Sequence, residues 1–170
     1  MRIRWKLLTL PVLLGTCASL LQAAETQLHV TADKIVINKS KRELELYSAG
    51  KLLKTYKVAL GPSASGAKNC EGDGKTPEGT YRVVGRNPKS AFHKSLRVSY
   101  PNYQDRARAA KMRCSPGGDI MIHGLPNGYG WIGAGHRAKD WTAGCIAVTD
   151  AEIEEIWRAV PNGTVVEIKA

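Results

Sequence analysis

The chain consists largely of short runs of alternating or continuous apolar residues, separated by glycine, proline or asparagine. This pattern is typical of β-strands bounded by turns. It predicts strands at residues 35–38, 43–48, 51–60, 80–86, 95–100, 119–123, 144–148 and 164–169. The first three form a predicted meander, with a tight turn at Ala49 and Gly50. The pattern therefore predicts a mainly β fold, a mixed β-sandwich.

Two segments have helical patterns and predict small helices packed on the sheet. The clearer one begins after Thr149, because Thr149 and Glu152 have the spacing of a capping box. Its apolar side chains recur at helical spacing on one face: Ile153, Ile156, Trp157 and Val160. A second, shorter helix is predicted at residues 102–112.

The first 24 residues have the three zones of a secretory signal. Basic residues come first, residues 7–21 are almost wholly apolar, and small residues precede a predicted cleavage near Ala23 or Ala24. The apolar run is shorter than the roughly 20 residues of a membrane-spanning helix, although a retained anchor and a lipoprotein at Cys17 are alternatives. We expect an exported protein in which residues 25–170 form one domain.

The formal net charge of +10 falls to +7 when three basic residues leave with the signal. Such a surplus favours polyanionic surroundings, although many lysines are ordinary solvated surface. Nucleic acid is not expected as a partner, because the basic residues are scattered rather than set among exposed aromatic residues. The cell envelope fits this charge better.

A histidine and a cysteine stand at the ends of two predicted strands, His123 in residues 119–123 and Cys145 in residues 144–148. If these strands pair, the loop between them folds over one end and both side chains lie at the same edge. A free thiol is only a few per cent ionised near neutral pH, and imidazole can take its proton. The sequence thus predicts Cys145 as a nucleophile and His123 as its general base and acid.

Gly144 precedes the candidate nucleophile and has no side chain to obstruct the backbone. The N–H groups around Gly144 and Cys145 can therefore approach a tetrahedral oxyanion, where one donor is typically worth about 2.7–4 kcal/mol. No aspartate or asparagine is obviously placed to orient His123, but a backbone carbonyl can do so.

Other interpretations of these residues are open. A buried core cysteine and histidine are common in proteins, but an exported chain needs a reason to keep a free thiol. A metal site would use His123, His136, Asp140 and Cys145, whose spacing matches no standard zinc pattern. No metal or other cofactor is therefore predicted, and His136 is expected on a loop surface.

Three cysteines remain after the signal, an odd number: Cys70, Cys114 and Cys145. In an oxidising compartment Cys70 and Cys114 can form a disulfide that leaves Cys145 free. Both can equally be unpaired, because the sequence does not give the Cα separation that a bridge requires.

These motifs resemble the YkuD-type L,D-transpeptidase catalytic domain of bacterial cell-wall enzymes. The family pattern of His-Gly, a glycine-rich tract and Ser/Thr-His-Gly-Cys is similar to His123-Gly124 and residues 142–145, Thr-Ala-Gly-Cys. The resemblance runs from about Asp33 to the C-terminus and includes residues 71–81, which look like the family's loop and strand before the catalytic region.

Two positions depart from the family pattern. Ala143 stands where many members have a second histidine, and Ala147 stands where many have an arginine. His123 would therefore be the sole imidazole base, and recognition of a substrate carboxylate must use other cations. Transfer, hydrolysis and exchange all stay open.

The resemblance implies a periplasmic peptidoglycan L,D-transpeptidase that acts on stem peptides. Cys145 would form a thioester with a tetrapeptide stem, release D-alanine and pass the acyl group to an amine. With water as acceptor the same pair would make a carboxypeptidase or amidase. A non-catalytic envelope-binding module is a further alternative. No obligate protein partner is predicted, and the sequence does not fix the oligomeric state.

Substrate contacts are predicted from position alone. Trp131, Arg137 and Trp141 lie between the base and the nucleophile in sequence, so they can wall the cleft and supply a cation. Packing is the alternative explanation for either tryptophan. Tyr100 ends a strand that would reach the same cleft if it neighbours the catalytic pair.

Overall fold

The computed structural model describes residues 30–170, and the predicted signal lies outside them. The elements, in chain order, are β1 (Lys34–Asn38), β2 (Glu43–Ser48), β3 (Lys51–Lys57), β4 (Gly79–Ser90), β5 (His93–Val98), α1 (Tyr103–Lys111), β6 (Met121–His123), a 3₁₀ segment (Gly130–Ala138), β7 (Ile146–Ala147), α2 (Asp150–Ala159) and β8 (Val165–Lys169). Within the described residues, no helix is both long and apolar enough to span a membrane.

The strands form one eight-stranded mixed sheet in the order β3-β2-β1-β8-β4-β5-β6-β7. β1 to β3 are the predicted antiparallel meander, and β8 lies between β1, its parallel partner, and β4, its antiparallel partner. Beyond β3, Ala59 forms an antiparallel bridge with Ala147 in β7, so the two ends of the sheet meet. The prediction of a mainly β fold with a few small helices is confirmed.

Alternate side chains of the strands form the core, which α2 completes from one side. Fully buried residues come from both halves of the sheet and from the helix: Ile35, Ile37, Leu44, Leu46, Leu96, Ile122, Ile146, Ile153 and Ile156. α2 begins as predicted, because Thr149 and Glu152 each accept a hydrogen bond from the other's backbone N–H. Trp157 packs partly buried against this core.

Two segments differ from the predicted elements. β4 is longer than residues 80–86, because it pairs with β8 at one end and with β5 at the other. The glycine-rich stretch between His123 and Cys145 contains a 3₁₀ segment that is interrupted at Gly133, whose φ is 50°. Glycine adopts this left-handed conformation without a Cβ clash, which allows the segment to turn.

The structure joins Cys70 and Cys114 in a disulfide, with Cα atoms 5.7 Å apart. This separation lies within the usual range for a bridge. The bond ties the long loop before β4 to the segment after α1. Among the described residues, Cys145 is the cysteine that stays free.

Candidate active site

β6 and β7 lie side by side, which meets the condition set in the sequence analysis, and the structure shows that they run parallel. Ile122 pairs with Ile146, so Cys145, one residue before β7, lies beside Met121. Ile122 and Ile146 are fully buried in the core. Because side chains alternate along a strand, His123 and Cys145 both lie on the opposite face of the sheet.

The backbone fixes the His123 ring in one tautomer. Its Nδ1 lies 2.7 Å from the Gly124 carbonyl oxygen, which can only accept a hydrogen bond. Nδ1 therefore carries the proton and Nε2 keeps its lone pair. His123 is 3% exposed, and this burial lowers its pKa, although the hydrogen bond to Gly124 acts in the opposite sense. A neutral ring of this kind can accept a proton at Nε2.

The Cys145 thiol is half-buried and in contact with β6. Its Sγ donates to the Asp119 carbonyl oxygen at 3.5 Å. Burial raises the pKa of the Cys145 thiol, and a hydrogen bond from the Met121 backbone N–H offsets part of that rise. The thiol therefore keeps its proton at neutral pH and needs a base before it can act as a nucleophile.

The turn before Cys145 is held by Thr142. Its Oγ1 donates to the Cys145 carbonyl oxygen at 2.8 Å and accepts from the Gly144 N–H at 3.2 Å. Gly144 has a φ of 122°, and a Cβ there would lie 2.4 Å from the Lys75 carbonyl oxygen, so the turn requires glycine.

The two N–H groups of the predicted oxyanion region differ in availability. The Gly144 N–H is already paired with Thr142. The Cys145 N–H makes no hydrogen bond within residues 30–170. If this region binds an oxyanion, the Cys145 N–H is the free donor, and the role of Gly144 is to let the backbone turn.

Aromatic rings cover His123. The centroid of Phe92 lies 4.6 Å from that of His123, and Trp141 meets the imidazole edge-on at 5.9 Å. Trp141 Nε1 in turn donates to Nδ1 of His136 at 3.3 Å. Trp141 and His136 also line a cavity of about 400 Å³ under the loop, whose other walls are mainly apolar. Trp141 therefore lies beside His123, the predicted base.

His136 is 8% exposed, so the expectation of a loop-surface residue is wrong. The 3₁₀ segment turns this side chain inwards, where its ring meets Trp141 edge-on with centroids 6.3 Å apart. Burial lowers the pKa of His136, and the positive charge of Arg137 lowers it further.

The other predicted substrate residues lie in three different settings. Trp131 is 81% exposed, at the outer surface of the 3₁₀ segment. Arg137 Nη2 donates to Glu152 at 2.6 Å, so this guanidinium is engaged within the protein. Tyr100 is buried, and its hydroxyl donates to the Pro116 carbonyl at 2.7 Å. Substrate contacts by these residues stay predictions, and Nη2 of Arg137 and the hydroxyl of Tyr100 already have partners within the protein.

Sequence reasoning missed two residues beside the pair. Nothing in the sequence placed Phe92 on His123, because the contact joins the turn between β4 and β5 to the end of β6. Arg97 carried a usable signal: it lies between the apolar Leu96 and Val98, so alternation puts it on the face away from the core. In the structure Arg97 pairs with Met121, which lies beside Cys145.

The candidate metal ligands do not assemble. Within the part of the chain that the structure describes, no three histidine, cysteine, aspartate or glutamate side chains form a group that could hold a metal ion. Asp140 instead accepts from Arg42, at 2.8 Å and 3.0 Å, and from the Leu60 N–H at 2.9 Å. This contact anchors the segment before Cys145 to the rest of the sheet.

The mixed sheet with its few helices is the fold of L,D-transpeptidase catalytic domains. The L,D-transpeptidase from Mycobacterium smegmatis is 14% identical and its structure matches with a TM-score of 0.54, covering 82% of this chain and 59% of that chain. At this identity the likeness shows the fold alone. The chain belongs to the YkuD family, the L,D-transpeptidase catalytic domain, which matches residues 32–168.

Two relatives are more similar in sequence. The provisionally named L,D-transpeptidase YafK of Escherichia coli strain K12 is 33% identical over 138 residues, which are 77% of this chain and 48% of YafK. The helical cell shape determining protein Pgp2 of Campylobacter jejuni is 26% identical, with a TM-score of 0.60 over 83% of this chain and 48% of that chain. The chain thus spans about half the length of both proteins.

Proposed function

We propose that the protein is a peptidoglycan L,D-transpeptidase in which Cys145 is the nucleophile and His123 is the general base and acid. The observation that carries this proposal is that a free thiol and an imidazole lie on the same face of two neighbouring strands. The Gly124 carbonyl holds the His123 proton on Nδ1, which leaves Nε2 as the basic atom. The other two cysteines of the described chain are bound to each other.

The acylation step follows from these protonation states. His123 Nε2 takes the thiol proton as the Cys145 sulfur attacks the carbonyl of the third stem residue, and the carbonyl electron pair moves to oxygen. The Cys145 N–H donates to that oxyanion. Collapse breaks the bond to the terminal D-alanine, whose nitrogen takes the proton from His123. A thioester on Cys145 remains.

The second half of the reaction depends on the acceptor. An amine of another stem attacks the thioester carbonyl and gives up a proton to His123. The carbon–sulfur bond then breaks, His123 returns the proton to the departing sulfur, and an amide cross-link and the free thiol result. Water can do the same and would make the protein an L,D-carboxypeptidase. The Cys145 sulfur is only half-buried, so solvent reaches it, and this observation supports the L,D-carboxypeptidase as a second candidate function.

The setting that suits this chemistry is the periplasm of the cell envelope, reached by export with residues 1–24 as a signal. A disulfide fits an oxidising compartment. The structural neighbour Pgp2 is named for determining helical cell shape, which supports a role in wall structure. Stem peptides of peptidoglycan are then the partners of the site.

Incubation with a disaccharide-tetrapeptide tests the proposal. We expect the wild-type protein to release D-alanine and form dimers, and Cys145→Ser to lower this rate by about 10³-fold or more, because the attacking group is lost. Mass spectrometry reads the products, and intact mass reads an acyl adduct on Cys145. Thermal unfolding checks that Cys145→Ser folds like the wild type.

The products separate the alternatives. Dimers support transfer, whereas shortened monomers support the carboxypeptidase. Binding to sacculi with no product from any stem would support a non-catalytic module instead. A Cys145→Ser variant that kept the wild-type rate would rule out the thioester mechanism.

A further inference from the structure

Two adjoining cavities lie beside Cys145, and we call them together the arginine groove. The smaller, about 260 Å³, is lined by Arg97, Asp119 and Met121 among others. The larger, about 410 Å³, shares Arg97 and Asp119 and extends to Arg106 in α1. Both adjoin the nucleophile, because the thiol touches the Asp119 carbonyl and accepts from the Met121 N–H.

The strand register gives the distance from Arg97 to the reacting sulfur. Arg97 pairs with Met121, which lies beside Cys145, so two strand spacings of about 4.8 Å each separate the arginine from the nucleophile, roughly 10 Å. Leu96 is fully buried, so Arg97 points to the same face as Cys145. Its long side chain can therefore reach a group several bonds away from a carbonyl at the sulfur.

The charge of the groove is available to a ligand. Within residues 30–170, the side chains of Arg97 and Arg106 form no hydrogen bond or ion pair, and both residues are exposed. Arg86, which also lines the smaller cavity, differs because it donates to the Trp157 carbonyl at 2.6 Å. Among the described residues that line the two cavities, Asp119 is the only one with a carboxylate. Three of them have guanidinium groups, Arg86, Arg97 and Arg106, so positive groups outnumber negative ones.

We propose that Arg97, with Arg106 beside it, binds a carboxylate of the peptide that presents its carbonyl to Cys145. A guanidinium forms paired, charge-assisted hydrogen bonds with a carboxylate, so it fixes orientation as well as affinity. The arginine groove thus supplies a positive charge for the substrate carboxylate, which Ala147, standing where many family members have an arginine, does not.

This assignment rests on the proposed function, in which the third residue of a stem peptide carries the attacked carbonyl. A diamino dicarboxylic acid at that position has a side-chain carboxylate several bonds from this carbonyl, and a diamino monocarboxylic acid has none. Arg97 therefore makes the protein selective for stems with the dicarboxylic residue.

Two tetrapeptide stems that differ only in this side-chain group, carboxylate or carboxamide, test the assignment. Calorimetry with Cys145→Ala measures their binding without turnover, and kinetics with the active protein measure KM and kcat. We expect Arg97→Gln to weaken binding of the carboxylate stem roughly 10- to 100-fold and to raise its KM, with kcat little changed. The carboxamide stem should change by less than about twofold.

Arg158→Gln is the matched control, because Arg158 is exposed on α2 and outside the groove. It removes the same charge and should leave both stems unaffected, while Arg97→Lys should retain part of the preference. Equal losses on both stems, no loss on either, or no binding of either stem would overturn the assignment. A wrong proposed function would look different: no stem would be processed, yet Cys145→Ala would still prefer the carboxylate stem through Arg97.

Discussion

Burial acts on both members of the proposed catalytic pair so that each stays neutral. It lowers the pKa of His123 and raises the pKa of Cys145. A thiolate–imidazolium pair formed in advance would need the opposite shifts. Transfer of the proton from Sγ to Nε2 is therefore expected to accompany the attack on substrate rather than to precede it.

The pH dependence of alkylation tests this order of events. Raising the pH ionises the thiol, and a raised pKa displaces that ionisation to higher pH. We expect the rate of Cys145 alkylation by iodoacetamide to keep rising beyond the ordinary pKa of cysteine, as read by intact mass. A preformed pair would instead reach its plateau below about pH 7.

His123→Ala is the control for the same experiment. A neutral ring does not ionise the resting thiol, so the alkylation profile should shift little, while acyl transfer should fall about 10²- to 10⁴-fold. An acidic plateau that disappears in His123→Ala would contradict the neutral pair.

At the scale of elements, the loop between His123 and Cys145 is attached to α2 through Glu152. This carboxylate accepts from Arg137 in the 3₁₀ segment at 2.6 Å and from the Thr149 N–H in the capping box at 2.9 Å. Burial alone would raise the pKa of Glu152, but the hydrogen bonds from Thr149 and Arg137 lower it. These hydrogen bonds therefore stabilise the fold fully above the pKa that glutamate has in the unfolded chain. The stabilisation is lost as the pH falls through the lower pKa of Glu152 in the folded protein.

Replacing the carboxylate should loosen both elements together. We expect Glu152→Gln to lower the free energy of unfolding by about 1–2 kcal/mol at neutral pH, because charged hydrogen bonds and a cap are weakened. The difference from wild type should shrink in acid, where Glu152 is protonated. Urea unfolding at several pH values measures it, and hydrogen exchange should speed up in residues 130–138.

Glu155→Gln gives the comparison on the same helix. Glu155 accepts from Lys54 and Tyr56 on β3, not from the loop. The Glu155→Gln variant should therefore leave hydrogen exchange in residues 130–138 unchanged. Equal loosening of the loop by both variants would show that α2, and not the Arg137–Glu152 ion pair, holds it.

For the molecule as a whole, the features predicted from sequence are those encoded locally. Alternation identified the meander, and the cap of α2 follows from four consecutive residues, Thr149 to Glu152. The position of β8 between β1 and β4 has no such signature, because it joins residues far apart in sequence, as Lys34 and Val165 show. The burial of His136 and the contact of Phe92 with His123 also depend on how segments that are separate in sequence pack together.

The loop before β4 shows how such distant packing supports the site. Lys39, just after β1, is 2% exposed, and its Nζ donates to the carbonyls of Gly66 and Thr76 and to the Glu78 carboxylate, at 2.6, 3.0 and 2.8 Å. Lys75 lies between Gly66 and Thr76 in the sequence, and its carbonyl packs against the turn at Gly144. One buried ammonium thus holds the loop that supports the backbone of the candidate nucleophile.

Lys39→Met removes this ammonium and keeps a side chain of similar length. We expect a loss of about 3–5 kcal/mol in the free energy of unfolding, because two carbonyls and a carboxylate lose their donor in a largely buried place. Hydrogen exchange should increase in residues 61–79, and acyl transfer should fall because the turn at Gly144 loses its support. Lys51→Met, at an exposed position of β3, should resemble the wild type in all three measurements. If Lys39→Met lost stability but kept both a protected loop and full transfer activity, the loop would not support the site.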